Sequence, residues 1–293
     1  MKRFIVINVI LAAWCSQYVS AQQAEHEFSA YLGSGLSTLN YQLAMGSRNA
    51  GVGGNLGVGY TYFRGKERVT GTGKIVREDW GLHTGLEFGL YNAKSKIINE
   101  KTLTKGLYDI DRDIFDLHTT LDNYREKQNM LLLSIPMMAQ FTLDRYYVLG
   151  GFKLGIPIMS KYKSKDATLT NWAHYVEVDG EEFDNWAKTQ NFAGYGTFNG
   201  LKSDGRMKFG ASAMLSFEAG AKWRLRRKLS LYSGVYFDYG LNNFAKKNQN
   251  NFVNPFNYRG GETSFTTNSV LSVYTEKIKV MAVGVKVRMA MTR

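Results

Sequence analysis

The stretch Met207-Lys208-Phe209-Gly210-Ala211-Ser212-Ala213-Met214-Leu215-Ser216-Phe217-Glu218-Ala219-Gly220-Ala221-Lys222-Trp223-Arg224 alternates almost residue by residue. Met207, Phe209, Ala211, Ala213, Leu215, Phe217, Ala219, Ala221 and Trp223 share one face, and Lys208, Gly210, Ser212, Ser216, Glu218, Gly220, Lys222 and Arg224 share the other. Successive side chains of a β-strand point to opposite sides, so this is a long strand with one apolar and one polar face. Leu229–Leu241 follows the same rule: Leu229, Leu231, Val235, Phe237, Tyr239 and Leu241 oppose Ser230, Tyr232, Gly234, Tyr236, Asp238 and Gly240. At the end of the chain Met281, Val283, Val285, Val287, Met289 and Met291 oppose Gly284, Lys286 and Arg288.

Working outward, eight such segments can be read, each of the length a membrane strand needs. They lie near Glu27–Thr38, Val52–Phe63, Trp80–Tyr91, Asn129–Leu143, Tyr146–Ser160, Met207–Arg224, Leu229–Leu241 and Glu276–Met291. A soluble sandwich or a lipocalin also alternates, and two further signals separate them from a membrane barrel. First, with the apolar face outward, Gly33, Gly35, Gly53, Gly57, Gly59, Gly81, Gly85, Gly89, Gly151, Gly155, Gly210, Gly220, Gly234, Gly240 and Gly284 all face inward, while Gly54 and Gly150 do not. A narrow lumen needs small residues between its large ones. Second, tight turns at Asp144-Arg145 and Arg226-Arg227-Lys228 alternate with long connections near 92–128, 161–206 and 242–275. Short periplasmic turns and long outer loops are the pattern of outer-membrane barrels. The expected fold is all-β: a transmembrane, antiparallel, up-and-down β-barrel, with eight strands. The connection 64–79 fits poorly, because Arg68–Val76 reads as a hairpin of its own.

The start of the chain agrees with export. Lys2 and Arg3 precede an apolar run from Phe4 to Trp14, and Val19-Ser20-Ala21 has the small residues of a cleavage site. Residues 1–21 are expected to be a signal peptide, and 22–293 a single barrel domain. The apolar run is too short for a membrane-anchoring helix, and Trp14 is too bulky to precede a lipidated Cys15. Cys15, the only cysteine, leaves with the signal, so the mature chain has neither disulfide nor thiol chemistry. Its stability must come from a large core or from a membrane, and no later segment reads as a membrane helix. The net charge of +12 becomes +10 without Lys2 and Arg3. For an exported barrel the partners this implies are outer-membrane lipid and lipopolysaccharide, not nucleic acid.

The register makes three groups of candidate residues. Phe28, Tyr60, Tyr62, Trp80, Phe141, Tyr146 and Trp223 fall on the lipid face near periplasmic strand ends, where an aromatic girdle belongs. Glu27, His83, Glu87, Lys153, Lys208, Glu218, Lys222, Asp238, Lys286 and Arg288 fall inside, where charges must be paired or hydrated. A lumen plugged by ion pairs and a narrow ion path both fit them. The connection 161–206 carries Tyr162, Trp172, Tyr175, Phe183, Trp186, Phe192, Tyr195 and Phe198. These are binding anchors or a packed cap, with Trp172 and Trp186 the anchor candidates. A serine at inward Gly284 is expected to be mild.

Phe28–Thr38, Trp80–Glu87 and Leu133–Met138 resemble strands of the small outer-membrane β-barrel proteins common in Bacteroidota, which are similar to the N-terminal barrel of OmpA. The resemblance covers nearly the whole mature chain and bears on fold more than on activity. It implies delivery by the barrel insertion machinery. Two departures stand out: no OmpA-type peptidoglycan-binding domain is read after the barrel, and Met289 and Met291 stand where many last strands carry an aromatic residue.

No enzyme signature emerges. His26, His83, His118 and His174 lack metal-ligand spacing, and no Gly-x-Ser-x-Gly elbow occurs. Asp109, Asp111 and Asp113 alternate like a calcium loop, but Ile114 replaces its glycine and Thr120 its closing carboxylate. No catalytic residue, metal or cofactor is expected. The preferred function is a structural or surface-interaction barrel that meets an unknown extracellular ligand through its outer loops. The alternatives are a narrow passive pore and a lipid-modifying enzyme with a Ser–His pair.

Overall fold

The computed structural model describes residues 24–41, 46–69, 75–108, 112–178, 181–185, 195–246, 252–259, 262–273 and 277–293. The expected signal peptide, Trp186, Asp109 and Asp111 lie outside them. The strands are β1 (Ala24–Asn40), β2 (Ser47–Val69), β3 (Ile75–Ile97), β4 (Glu100–Tyr108), β5 (Ile114–Asp122), β6 (Tyr124–Leu143), β7 (Tyr146–Lys165), β8 (Ala167–Val178), β9 (Glu181–Asn185), β10 (Gly196–Leu201), β11 (Asp204–Arg206), β12 (Ser212–Arg226), β13 (Leu229–Gly240), β14 (Val253–Arg259), β15 (Glu262–Thr267) and β16 (Lys279–Thr292). Among the described residues one short helix, α1, spans Val270–Val273.

Eight of these strands form a ring. The antiparallel order β7-β12-β13-β16-β1-β2-β3-β6 closes where β6 pairs with β7. Closure leaves no unpaired strand edge around the ring, which is the condition lipid imposes on a sheet. The barrel is therefore the expected up-and-down, eight-stranded one. The 64–79 segment adds no strand: β2 and β3 run on in register from Arg64↔Trp80 to Val69↔Ile75. The turn between β6 and β7 is two residues long, and Asp144 takes φ 54°, a left-handed conformation that Asp tolerates better than most residues.

The outward face is apolar. Leu32, Leu82, Val235, Val285 and Met291 are each more than half exposed to the surroundings. On β3 this belt runs from Trp80 to Leu90. Ten residue steps at ~3.4 Å each give about 34 Å of strand, or about 25 Å of height once tilted as barrel strands are. That height matches the hydrocarbon band of a membrane barrel.

Two regions depart from the sequence reading. The long connections are not simple loops. β3, β6 and β7 each continue, past Asn99 (φ 52°), Asn123 (φ 53°) and Asp166 (φ 62°), into β4, β5 and β8. These form a second sheet in the order β10-β8-β5-β4, with β9 also on β8. The neighbours keep the order they have in the barrel, so one side of the wall rises above the belt. Single Asn or Asp residues in the left-handed region make the kinks.

The second departure is a change of face. The β6–β7 register shifts by one between Leu131↔Met159 and Leu132↔Pro157. Pro157 has no N–H to give the ladder, which makes it a natural place for a bulge. Below it Lys153 and Gly155 face inward; above it Tyr162 and Ser164 do. Across from the bulge, residues 207–211 leave the strand pattern between β11 and β12. Met207 is consequently buried, and Lys208 is exposed instead of inward.

Candidate sites in the lumen and on the outer sheet

The register places Glu27, His83, Glu87, Lys153, Glu218, Asp238, Lys286 and Arg288 inside the barrel, each at most 5 % exposed, with Lys222 half-buried near the short-turn end. Six of them form one continuous chain. Lys153 Nζ lies 3.0 Å from Asp238 and 2.8 Å from Glu87. Lys286 Nζ continues it at 3.4 Å from Glu87 and 3.3 Å from Glu218, and Arg288 Nη2 ends it at 3.6 Å from Glu218. Lys222 and Glu27 make a separate pair at 3.3 Å. Four carboxylates thus face four cations, and the set is neutral.

Tyrosines complete the network. Tyr147 donates to Glu218 at 2.8 Å, Tyr232 to Glu27 at 2.9 Å, and Ser216 to Asp238 at 2.5 Å. Arg288 lies 4.3 Å from the Tyr232 ring centroid and 5.3 Å from that of Tyr147, while Lys286 lies 4.8 Å from Tyr31 and 5.1 Å from Tyr236. A ring face attracts a desolvated cation by about 2 kcal/mol. Sequence reading put Tyr232 and Tyr236 on the inward face but gave them no part, although their parity with Asp238 was the available signal. Glycines make room for these rings: a Cβ on Gly57 would lie 2.5 Å from the Tyr31 ring. A small cavity of about 10 Å³ lies between Tyr31, His83, Glu87, Lys153, Glu218 and Arg288. That is space for about one water.

Above the charges the lumen is apolar. Leu39, Tyr91, Met130, Leu132, Met214, Tyr236, Phe244 and Ile278 pack together, and Leu271 of α1 seats on them from the outer side. The anchor for α1 is Glu126 of β6, above the apolar belt. Its fully buried carboxylate accepts from Ser269 Oγ at 2.6 Å, Gln128 Nε2 at 2.9 Å, the Val270 N–H at 3.0 Å and the Tyr124 hydroxyl. Glu126 lies before the expected start of this strand at Asn129, and the even-numbered run Tyr124, Glu126, Gln128 continues its inward face.

Burial pushes the Glu126 carboxyl above its ordinary value, and its four donors pull it partly back. A carboxyl raised on folding stabilises the fold below its unfolded value, and that contribution is lost as the pH rises through the folded value. Lowering the pH from neutral toward the ordinary carboxylate range is therefore expected to raise the protection of Val270 and Leu271 from hydrogen exchange, measured against the intrinsic exchange rate at each pH. Glu126→Ala is expected to abolish that pH response and speed exchange at both, since each buried donor left unmet costs about 1–3 kcal/mol. Exchange in β13 should not change. An unaltered exchange rate in the variant would show that Glu126 does not hold α1.

Phe28, Tyr62, Trp80, Tyr146 and Trp223 are exposed on the outward face near the short-turn end, with Tyr60 and Phe141 half-buried beside them. Tyr60 packs on Phe28 at 5.3 Å between centroids, and Phe141 on Trp80 at 4.6 Å. On the outer sheet Trp172 is in β8, not in a loop, and its ring stacks on His118 of β5 at 3.8 Å. Tyr175 and Tyr195 pack with Phe115 into a small core on the opposite face, and Phe198 packs against another. Among the described aromatics of this region, mutual packing is thus the main arrangement.

No family model matches this chain, and no curated protein matches it. Among solved structures it is similar to Ail, the attachment invasion locus protein of Yersinia pestis, determined in complex with the heparin analogue sucrose octasulfate. The likeness has a TM-score of 0.30 at 11% identity and covers 91% of this chain and 99% of that one.

Proposed function

We propose that this protein is an integral outer-membrane barrel with a closed lumen, whose work is done at the cell surface by the raised outer sheet. The observation that carries this reading is the filled lumen. An ion-pair chain occupies its lower part, an apolar layer lies above it, and α1 is seated on top. Eight strands leave an interior that side chains can fill. The lipid-modifying alternative is poorly supported: His83 is buried inside the barrel, and its Nδ1 partner at 2.8 Å is Thr61, not a serine. The aromatic girdle would sit at the periplasmic lipid boundary, and delivery would depend on the barrel insertion machinery.

Two measurements test this. Envelope fractions washed with alkaline carbonate are expected to retain the protein, and its recovery in the wash would remove the membrane reading. Purified protein in planar bilayers is expected to give no step conductance. A steady open channel would replace the closed barrel with a pore.

A further inference from the structure

Above the belt, the outward face of one flank changes from apolar to basic along a single row. Leu90 of β3, Leu131 of β6 and Met159 of β7 form the last apolar row. The next positions are Asn92↔Asn129↔Lys161, then Lys94↔Lys127↔Lys163, then Lys96↔Arg125↔Lys165. Arg206 of β11 pairs with Lys161 and extends the first of these rows. The Pro157 bulge creates this field: without its change of face, Lys161, Lys163 and Lys165 would share the inward side with Lys153. The sole carboxylate in these rows is Asp204, opposite Lys163.

Like charges directly opposite on neighbouring strands are destabilising, because their Cβ atoms lie only about 5 Å apart. Two complete rows of three cations therefore carry a cost that an external anion would relieve. Rows on one face are about 7 Å apart along the strand, or about 5 Å in height once tilted, so the two complete rows stand about 10 and 15 Å above the last apolar row. Groups within side-chain reach of that height in a glycolipid leaflet are its phosphorylated headgroup sugars.

We infer that the Lys94–Lys127–Lys163 and Lys96–Arg125–Lys165 rows are a binding site for the phosphates of an outer-leaflet glycolipid, which docks its acyl chains on the apolar belt below. The inference rests on the outer-membrane reading; it narrows the lipid partner expected from the net charge to its phosphates and names the residues that hold them. A cation near an anionic lipid surface contributes about 1 kcal/mol, so the site's charges together make a strong, salt-sensitive contact.

The test uses the full mature chain folded in zwitterionic detergent and titrated with phosphorylated lipid A, dephosphorylated lipid A and a soluble sulfated polysaccharide. Phosphorylated lipid A is expected to bind best, with affinity falling as salt rises. The triple variant Lys94→Gln, Lys127→Gln, Lys163→Gln is expected to bind it roughly a hundredfold more weakly, and Lys127→Gln alone roughly fivefold. The triple variant without lipid is expected to melt higher than the parent, because its like-charge rows are gone. That sign separates a ligand site from a structural one, where the loss would lower melting. Equal binding of dephosphorylated lipid A, undiminished binding by both variants, or a preference for the soluble polysaccharide would overturn the inference. A protein that survives the carbonate wash and ignores phosphate defeats this inference alone; one that is washed off defeats the outer-membrane reading first.

Discussion

Glu218→Ala is expected to destabilise the barrel by about 3–5 kcal/mol, the usual cost of removing one member of a buried ion pair. Glu218 is the only carboxylate in ion-pair reach of Arg288 among the described residues, at 3.6 Å, and it also faces Lys286 at 3.3 Å. Lys286 keeps Glu87, but Arg288 is left with ring faces, while its Nε and Nη2 already lack hydrogen-bond partners. The neutral lumen becomes a lumen of four cations and three carboxylates. Glu27→Ala is expected to cost less, because Lys222 sits near the short-turn end with its side chain 11% exposed and can be hydrated. Heat-modifiable gel mobility gives the order of the two variants, and single-channel recording is run alongside. A Glu218→Ala protein with parental melting and a new large conductance would mean that Glu218 guards a path, and the pore would replace the plug.

What the sequence revealed followed from strict periodicity. Within the belt the barrel strands keep period two up to the Pro157 bulge of β7, so Glu218, Asp238, Lys286 and Arg288 could be assigned to one interior before any contact was known. Periodicity failed where a strand changes face or direction. Pro157 inverts the face of β7 and turns Lys161, Lys163 and Lys165 outward. Asn99, Asn123 and Asp166 turn barrel strands into an outer sheet where loops were expected. In both cases one residue with unusual backbone chemistry overrides a pattern that averages over ten. The tyrosine shelves under Lys286 and Arg288 needed more than parity, because ring placement depends on which neighbouring positions are glycine.

Val285→Arg is expected to cost about 2–4 kcal/mol in a bilayer, the penalty for a cation near the midplane of a barrel's lipid face. Val285 lies outward, 61% exposed, between Ser34 and Val235. Next to it, Gly284 was expected to accept serine mildly, and the structure corrects this. Gly284 pairs directly with Gly35, and a Cβ there would lie 2.2 Å from the Ser34 carbonyl oxygen and 2.7 Å from Gly35 Cα. The obstacle is backbone on the neighbouring strand, so Gly284→Ser must push β1 and β16 apart, at about 1–3 kcal/mol as for other overpacked sites. The two penalties have different physical origins, and the medium separates them. The arginine cost depends on hydrocarbon depth and is expected to shrink in short-chain lipid, where the guanidinium reaches headgroups. The serine cost is steric and is expected to persist in long-chain lipid, short-chain lipid and detergent alike. Folding yields and urea midpoints measured across the three media give the comparison. If Val285→Arg is neutral in the long-chain bilayer, β16 does not present that face to lipid. If the Gly284→Ser cost instead follows chain length, the close approach of β1 and β16 is not what limits it.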